Sequence, residues 1–248
     1  METQVTVKIT KLNKRYNPSA PLAVDNLSLV AYGGEIIGIM GQNGAGKTTT
    51  LKMMTGMIPI DSGEIELCGY SIKTQPTEAK AQFGFVSDNH AVFDKMTGIE
   101  YVNFMADIYR VDLDTRVQRL NMFQDSLDLG EAIYNEISSY SHGMKQKIAI
   151  MGALIHFPKL WILDEPMTGL DPQTTYRVKE LMFEHKANGN TVLFSSHNID
   201  AVEKLCDRVY IVSKGKLIDQ INMNEFRKGS TTLEDHFFEV THLHKRDD

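Results

Sequence analysis

The chain has 248 residues, 42% of them hydrophobic, and its 32 acidic against 26 basic side chains give a formal net charge of −6 at pH 7. This length suits one large α/β domain or a domain with an inserted subdomain, and the acidic balance disfavours a general nucleic-acid binder, because non-specific affinity for phosphate backbones depends on excess Lys and Arg. Cys68 and Cys206 lie far apart in the sequence without a Cys or His at metal spacing, so we expect no zinc and interpret them as thiols in a reducing compartment.

The first predicted element is a strand at residues 5–9. The N-terminus METQVTVKIT alternates apolar and polar residues without a long hydrophobic region, which predicts a strand rather than a signal peptide and a protein that stays inside the cell. The most apolar segment, residues 148–163, is interrupted by His156, Pro158 and Lys159 and is too short to span a bilayer. Any membrane role therefore depends on a partner.

The next predicted strand, residues 36–40, runs directly into GQNGAGKT, residues 41–48. This octapeptide fits the pattern G-x-x-x-x-G-K-[ST], whose glycines let consecutive backbone N–H groups point at phosphate oxygens. A helix that begins near Lys47 adds the positive end of its dipole, Lys47 adds a cation, and Thr48 offers a hydroxyl ligand to Mg²⁺. The alternative is a glycine-rich turn that caps a helix. We predict a site for the phosphates of a nucleotide.

Further along, the patterns predict a helix at residues 47–57 and strands at residues 64–67 and 83–86. From Thr97 to about residue 153 the pattern becomes helical, and TGIE, residues 97–100, is a capping-box candidate. The apolar residues that recur at roughly helical spacing there are Ile99, Val102, Phe104 and Ile108. We interpret this zone as a helical insertion.

Two adjacent carboxylates end the apolar run of LWILDEP, residues 160–166. Because the chain turns at the carboxyl end of a strand, Asp164 and Glu165 can both approach the phosphate site. Asp164 would hold the Mg²⁺ shell, and Glu165 would polarise the attacking water, a general-base contribution of about a hundred to ten thousand fold. The alternative is a strand followed by an Asp-Glu-Pro turn that caps a helix.

Strands and helices alternate after residue 160. We predict strands at residues 160–163, 191–194 and 208–212, and a helix over Pro172–Ala187 that ends before Gly189. Beyond residue 220, short helices are predicted at residues 223–228 and 233–240. The second carries Leu233, His236, Phe237 and Val240 on one stripe. Packing against the main domain is the expected role of this tail, and a dimer contact or regulatory arm is the alternative.

With residues 140–147, YSHGMKQK, the chain resembles the nucleotide-binding subunits of ATP-binding cassette (ABC) transporters. The segment is similar to the LSGGQ-type signature of that family, with Ser141 and Gly143 at matching positions, and other phosphate-loop classes lack it. A GTPase is disfavoured, since the chain has no Asn-Lys-x-Asp motif and Met167 stands where the glycine of a GTPase Asp-x-x-Gly switch is usual. The resemblance implies an α/β, P-loop ABC cassette: a RecA-like mixed sheet core with an N-terminal antiparallel β portion and an inserted α-helical subdomain. The implied division is an ATPase domain at 1–220, with the insertion at about 97–153, and a helical tail at 221–248.

The resemblance also implies roles for individual residues. Tyr16 would stack on adenine, although it also fits an apolar residue that closes an N-terminal strand. Asp171 would belong to the loop that crosses to the opposing subunit and also fits a helix N-cap before Pro172. His197 would contact the γ-phosphate and the attacking water. The implied nucleotide-binding residues are Tyr16, Gly41, Asn43, Gly44, Ala45, Gly46, Lys47, Thr48, Thr49, Ser141, Gly143 and Asp171. The implied catalytic residues are Glu165 and His197, and the implied Mg²⁺ ligands are Thr48, Asp164 and Asp88.

Several positions depart from the family pattern. Asp88 stands where the family usually has Gln, and it is shorter by a methylene and carries a charge. In the signature, His142 replaces a glycine, Met144 replaces Gln and Tyr140 replaces Leu, so the close backbone approach of that glycine is in question. This form of the signature is most similar to ATPases of exporters that handle drugs, antimicrobial peptides or lipid-linked compounds.

ATP and Mg²⁺ are the implied ligands, and two protein partners are implied with them. One is a second ATPase subunit, identical or homologous, in a head-to-tail dimer in which Lys47 and Thr48 of one subunit and Ser141 and Gly143 of the other enclose each ATP. The other is an integral-membrane permease that docks near residues 89–93 and holds the subunit at the cytoplasmic face of the membrane. No nucleic-acid partner is expected. The alternative is a soluble ABC ATPase that remodels a ribosomal, DNA or signalling partner, but the chain shows neither a long coiled coil nor a second cassette.

Overall fold

The computed structural model describes residues 4–88 and 93–246, with side chains described up to residue 241. The strands in these ranges are β1 (Val5–Lys14), β2 (Val24–Tyr32), β3 (Ile36–Met40), β4 (Ser62–Leu67), β5 (Tyr70–Ser71), β6 (Phe83–Val86), β7 (Leu160–Asp164), β8 (Thr191–Ser196), β9 (Arg208–Ser213) and β10 (Lys216–Asn222). The α-helices are α1 (Lys47–Met54), α2 (Pro76–Lys80), α3 (Gly98–Ile108), α4 (Leu113–Leu127), α5 (His142–Leu154), α6 (Pro172–Ala187), α7 (Ile199–Leu205), α8 (Met223–Phe226) and α9 (Leu233–Arg246).

The strands form two sheets. An antiparallel sheet has the order β2-β1-β4-β5, and a mixed sheet has the order β10-β9-β3-β8-β7-β6. In the mixed sheet the neighbours from β9 to β6 run parallel, and β10 pairs antiparallel with β9. Within the described ranges this matches the predicted mixed sheet with an N-terminal antiparallel portion.

Strand β3 shows why its sequence is apolar throughout. All five of its residues are buried, because both faces of the mixed sheet are covered. Ile36 and Met40 face the hydrophobic cluster under the helices, whereas Ile37 and Ile39 face the cluster between the two sheets. The alternation of side chains along one strand therefore joins the two halves of the core.

The helices α3, α4 and α5 occupy residues 98–154 between β6 and β7. The predicted capping box is confirmed: the Thr97 hydroxyl accepts from the Glu100 N–H, and the Glu100 carboxylate accepts from the Thr97 N–H. The predicted apolar stripe of α3 is only partly buried. Val102 packs in the core, but Phe104 and Ile108 are exposed.

Some boundaries differ from the sequence predictions. The helix predicted at residues 47–57 ends at Met54, because Gly56 adopts a left-handed conformation with φ of 69°. Strands β2 and β10 were not predicted. Strand β1 extends to Lys14, and the helix predicted at 233–240 continues to Arg246. Since β10 ends at Asn222, the helical part of the tail begins at Met223.

None of the helices in the described part of the chain has both the length and the apolar character required to cross a bilayer.

Candidate functional site

The site lies where three parallel strands end. Strands β3, β8 and β7 are neighbours in that order, so their carboxyl ends meet at one edge of the mixed sheet. The loop from Gly41 to Gly46 follows β3, Asp164 ends β7 and is followed by Glu165, and His197 follows β8. Segments more than a hundred residues apart are thereby brought to one place.

Two glycines of the loop are required by their surroundings. A Cβ on Gly41 would lie 2.3 Å from the Val212 carbonyl oxygen, and a Cβ on Gly46, which has φ of 105°, would lie 2.5 Å from the Ala23 carbonyl oxygen. Only glycine fits at either position without a shift of backbone. Helix α1 begins directly after Gly46, so its N-terminal N–H groups face the loop.

Lys47 is held over this loop. Its side chain is only 6% exposed, and Nζ donates to the Gly41 carbonyl at 2.8 Å and to the Gln42 carbonyl at 3.3 Å. Nζ also lies 3.4 Å from Glu165 Oε1. The cation is therefore fixed beside the loop and next to the carboxylate that the sequence nominated as general base.

A cleft of about 240 Å³ opens over the loop. Its lining residues are Ala23, Asn43, Gly44, Ala45, Gly46, Lys47, Thr48, Thr49, Asp88 and Glu165. The sequence analysis predicts all of these residues except Ala23 to bind nucleotide or Mg²⁺ or to take part in catalysis. Tyr16 lies at the same end, since its hydroxyl is 3.2 Å from the Thr49 hydroxyl and its ring is exposed. The ring is thus available to a planar ligand beside the cleft.

Asp164 is buried behind the cleft. Oδ1 accepts hydrogen bonds from the Thr48 hydroxyl, at 3.1 Å, and from the Ser195 hydroxyl, while the buried Oδ2 has no hydrogen-bond partner. Burial raises the pKa of Asp164; the two hydroxyl hydrogen bonds oppose that rise, and the charges of Asp88 and Glu165 add to it. An orphaned carboxylate oxygen beside a threonine hydroxyl fits a hard cation such as Mg²⁺.

The described residues contain no cluster of three or more His, Cys, Asp and Glu side chains able to hold a metal by themselves. Mg²⁺ usually takes one or two carboxylates and completes its shell with phosphate oxygens and water. Of the three predicted Mg²⁺ ligands, Thr48 and Asp164 contact each other through their side chains. Asp88 lies exposed at the cleft wall.

Glu165 has an unusual backbone. Its φ of 48° is left-handed, which breaks the alternation of the strand and explains how two consecutive acids serve one site. Its N–H donates to the Ser195 hydroxyl at 3.1 Å and to the Ser195 carbonyl at 3.2 Å. Oε2 lies 3.0 Å from His197 Nδ1, and Oε1 faces Lys47. The carboxylate is thus oriented from both sides.

A neighbouring cleft of about 270 Å³ continues the site. It is lined by Met40, Gly41, Gln42, Asn43, His197, Ile199 and Phe237. His197 therefore stands between the two clefts, and α9 of the tail reaches the edge of the site through the buried Phe237.

The other residues predicted to bind nucleotide lie outside the cleft. Ser141 caps α5 by accepting from the Met144 N–H, and Asp171 caps α6 by accepting from the Thr174 N–H at 2.9 Å, as predicted for an N-cap. Hydrogen bonds from Thr174 lower the pKa of Asp171. A Cβ on Gly143 would lie 3.6 Å from Asp171 Oδ2, so these residues form a second group. Neither Ser141, Gly143 nor Asp171 is among the residues that line the cleft over Lys47.

Sequence reasoning missed two buried polar residues that hydrogen-bond the segment from Asp164 to Pro166. Ser195 hydrogen-bonds both Asp164 and the Glu165 backbone, and Gln146, 1% exposed, donates to the Pro166 carbonyl at 3.1 Å. The signals were present: Ser195 follows the apolar run VLF of β8, and Gln146 lies two residues before the apolar stretch IAIMGAL of α5.

We expect Asp164→Asn to raise the melting temperature of the metal-free chain by roughly 2–4 °C, the shift that about 1 kcal/mol causes in a domain of this size. A raised carboxyl pKa means that the folded chain binds a proton more readily than the unfolded chain, so folding stability falls as pH rises from 3.8 through the raised pKa. An uncharged amide removes this cost at neutral pH.

If Mg²⁺ with ATP stabilises the unmodified chain, as the phosphate-loop pattern predicts, the same variant should lose that stabilisation. Thermal unfolding at pH 7.5, with and without Mg·ATP, measures both effects, and the exposed Asp125→Asn is the matched control. A lower melting temperature for metal-free Asp164→Asn would contradict the burial argument, and an intact Mg·ATP shift would contradict the ligand role.

Comparisons with known proteins point to one family. The profile of the family described as ABC transporter matches residues 24–168. The linearmycin resistance ATP-binding protein LnrL of Bacillus subtilis (strain 168) is 36% identical over 195 residues, which cover 79% of this chain and 63% of LnrL. The chain therefore spans less than two thirds of that relative.

Solved structures show the same fold. A chain titled as the structure of the ATP binding subunit of an ABC transporter superposes with a TM-score of 0.89 and 28% identity, covering 95% of this chain and 99% of that chain. A second, titled as the dimeric post-hydrolysis state of the ATP-binding cassette MJ0796 bound to ADP and Pi, has a TM-score of 0.79 at 23% identity and covers 88% of this chain and 98% of that chain. These similarities confirm the predicted α/β cassette fold.

Proposed function

Because this chain belongs to the ABC transporter family of ATP-hydrolysing cassettes, we propose that it binds Mg·ATP over the loop before α1 and hydrolyses it to energise a membrane permease. The observation that carries the proposal is the convergence of Lys47, Thr48, Asp164, Glu165 and His197 at one edge of the mixed sheet. We assign the ATPase function to residues 1–220, with the insertion at about 97–153, and a packing role to the tail at 221–248.

The proposed binding mode follows from the positions of the groups. The N–H groups of the loop and of the first turn of α1 take the β- and γ-phosphate oxygens, and Lys47 adds the charge. Bound Mg²⁺, held by Thr48, Asp164 and Asp88, would neutralise the β- and γ-phosphates. Tyr16 stacks on the adenine ring.

The proposed reaction uses Glu165 as general base. As the water oxygen bonds to the γ-phosphorus, its proton passes to Glu165, the bond from that phosphorus to the bridging oxygen breaks, and ADP leaves with phosphate. His197, with Nδ1 at 3.0 Å from Glu165 Oε2, orients this carboxylate and reaches toward the γ-phosphate. The Ser195 contacts hold the backbone of Glu165 in place during the step.

The separation of the second group of residues supports a dimer. Ser141, Gly143 and Asp171 lie together outside the cleft over Lys47, so they serve nucleotide only if they face a cleft of another subunit. We propose a head-to-tail pair, with an identical or homologous copy, in which the N-terminus of α5 faces the partner's γ-phosphate. The cassette MJ0796, described above as dimeric, supports the pairing of two subunits.

An exposed apolar surface supports a permease partner. Helix α3 exposes Phe104 and Ile108, and helix α4 exposes Leu113 and Val117. The two residues of each pair are four positions apart and therefore lie on one face of their helix. The exposed Phe93 lies edge-on to Phe104, with ring centroids 5.5 Å apart. The docking segment expected at residues 89–93 lies outside the described residues except for Phe93. We propose that this surface receives a cytoplasmic segment of the permease, which holds the subunit at the cytoplasmic face of the membrane.

We also propose that the partner exports a drug, peptide or lipid-like compound. The form YSHGMKQK and the similarity to LnrL, whose name describes linearmycin resistance, support export. The alternative is a soluble ABC ATPase that acts on a ribosomal, DNA or signalling partner; the exposed apolar surface favours the permease.

The test has two stages. Purified chain should release phosphate from Mg·ATP. A tagged chain expressed in its native host should co-purify with a multi-span membrane protein from detergent-solubilised membrane. Phe104→Asp should abolish co-purification, because a charge enters an apolar contact, whereas Phe183→Asp, at an exposed aromatic on α6, should not. Absence of phosphate release would reject the ATPase function, and hydrolysis with no membrane partner but stable binding to ribosomes would favour the soluble alternative.

A further inference from the structure

The imidazole of His142 lies against a loop of its own subunit. His142 is the first residue of α5, and its Nε2 donates to the Thr168 carbonyl oxygen at 3.3 Å. Gly169, with φ of 73°, lies directly below the ring: a Cβ there would stand 3.2 Å from both Cδ2 and Nε2 of His142. A Cβ at position 169 would therefore require the ring to shift by a few tenths of an ångström.

Two further contacts join α5 to the same loop, residues 166–171. Gln146, one turn after His142, donates to the Pro166 carbonyl at 3.1 Å. Gly143 packs beside the Asp171 carboxylate. The first two turns of α5 thus follow the loop from its start, directly after Glu165, to its end at the N-cap of α6.

We infer that His142 is a positioning residue that couples the signature segment, residues 140–147, to Glu165 within one subunit. The inference rests on the proposed function, in which Ser141 and Gly143 face nucleotide held by a partner subunit. Movement of α5 against that nucleotide is transmitted by His142 and Gln146 to the loop 166–171, and this loop continues from Glu165. Nucleotide at one site of the dimer thereby adjusts the base at the other.

Three properties of the contact support coupling rather than direct binding of phosphate. The donor atom Nε2 points at the Thr168 carbonyl of the same chain, not away from it. The ring is packed on Gly169, so a shift of α5 displaces the loop instead of only rotating an exposed side chain. Glycine at position 142 would lack both contacts, whereas the hydrogen bond from Gln146 to the Pro166 carbonyl would remain.

The first experiment compares steady-state ATP hydrolysis by the full chain with His142→Ala and His142→Gln. Loss of one hydrogen bond and of the ring contact in Ala should lower kcat roughly fivefold, while KM for ATP stays within about twofold. Gln carries an amide donor of similar reach and should recover more than half of the lost kcat. Phosphate-binding by His142 would instead raise KM in the Ala variant, and an unchanged kcat there would overturn the coupling.

A second measurement does not depend on hydrolysis. Hydrogen–deuterium exchange of the peptide that contains residues 165–171 should be faster in His142→Ala and close to that of the unmodified chain in His142→Gln. Equal exchange in all three chains would show that the ring does not hold the loop. Thermal unfolding of each variant provides the control for general destabilisation.

A double-mutant cycle tests the packing on Gly169. Gly169→Ala should lower kcat both through its left-handed backbone and through the Cβ that displaces the ring, and the second effect vanishes when position 142 is already Ala. We therefore expect Gly169→Ala to cost less in the His142→Ala background than alone. Strictly additive losses would reject the packing contact.

The results for the unmodified chain and for His142→Ala distinguish failure of the proposed ATPase function from failure of the coupling by His142. If the unmodified chain does not hydrolyse Mg·ATP, the proposed function fails and the inference fails with it. If the unmodified chain hydrolyses ATP and His142→Ala matches it in kcat and exchange, only the inference fails.

Discussion

Glu165→Gln is expected to lower kcat for ATP hydrolysis by about a hundred to ten thousand fold while ATP binding is retained. Gln has the same shape as Glu but neither its charge nor a basic oxygen that can take the proton of the attacking water. The side chain is 17% exposed and is oriented between Lys47 and His197, whereas Asp164 directs Oδ1 to the Thr48 and Ser195 hydroxyls.

Two measurements test this prediction. Phosphate release gives kcat, and titration with a fluorescent ATP analogue gives affinity. Because ATP is no longer consumed, the variant should also accumulate as an ATP-dependent dimer, which light scattering after size-exclusion chromatography detects.

The matched control is Glu184→Gln, at an exposed carboxylate on α6 that should leave turnover unchanged. Normal turnover in Glu165→Gln would remove Glu165 from the mechanism. Loss of ATP affinity together with turnover would show that Glu165 acts mainly in binding or in folding of the loop.

Lys47→Ala is expected to weaken Mg·ATP binding by roughly a hundredfold or more. Each charge-assisted hydrogen bond is worth about 1.5–3 kcal/mol, and the Lys47 cation is the buried positive charge that the structure holds at the cleft, next to the Gly41 and Gln42 carbonyls. Its removal also leaves Glu165 without its cationic neighbour, so the cleft becomes more negative toward the incoming phosphates.

Isothermal titration with Mg·ATP and Mg·ADP measures the effect. Lys47→Met retains the apolar stem and separates the charge from the packing of a side chain that is only 6% exposed. Lys52→Ala, at a half-buried cation of the same helix, is the control for a general loss of positive charge. Unaltered ATP affinity in both Lys47 variants would contradict the phosphate role of this residue.

The phosphate loop illustrates what the sequence could predict. The pattern from Gly41 to Thr48 is local: the glycines, the lysine and the helix start lie within eight consecutive residues. The structure places the glycines in the loop between β3 and α1, and Lys47 and Thr48 at the start of α1. The apolar run before Asp164 is local in the same sense. The roles assigned to Glu165, His197, Ser141 and Asp171 in catalysis and nucleotide binding remain predictions.

Strands β2 and β10 show a different limit. Leu27, Leu29 and Ala31 alternate with more exposed neighbours in β2, and β10 follows a Lys214-Gly215 turn, so local signals for both strands were present but were weaker than the central apolar runs. Phe104 and Ile108 show another limit, because they belong to the predicted apolar stripe of α3 but are exposed. Their helical spacing is real, but spacing cannot tell which side of a helix faces the core.

By itself, the sequence determined the elements whose information is contained in a few consecutive residues: the glycine-rich loop with its lysine, the apolar strand that ends in two acids, and the caps of α3 and α6. Only the tertiary structure decided which distant groups meet, such as Ser195 with Asp164 and the His142 ring with Gly169. The physical reason is that a hydrogen bond or a ring contact depends on the relative placement of packed elements to within a few tenths of an ångström. That placement is set by the order of the strands in the sheet and by the cores on its two faces, which no short stretch of sequence contains.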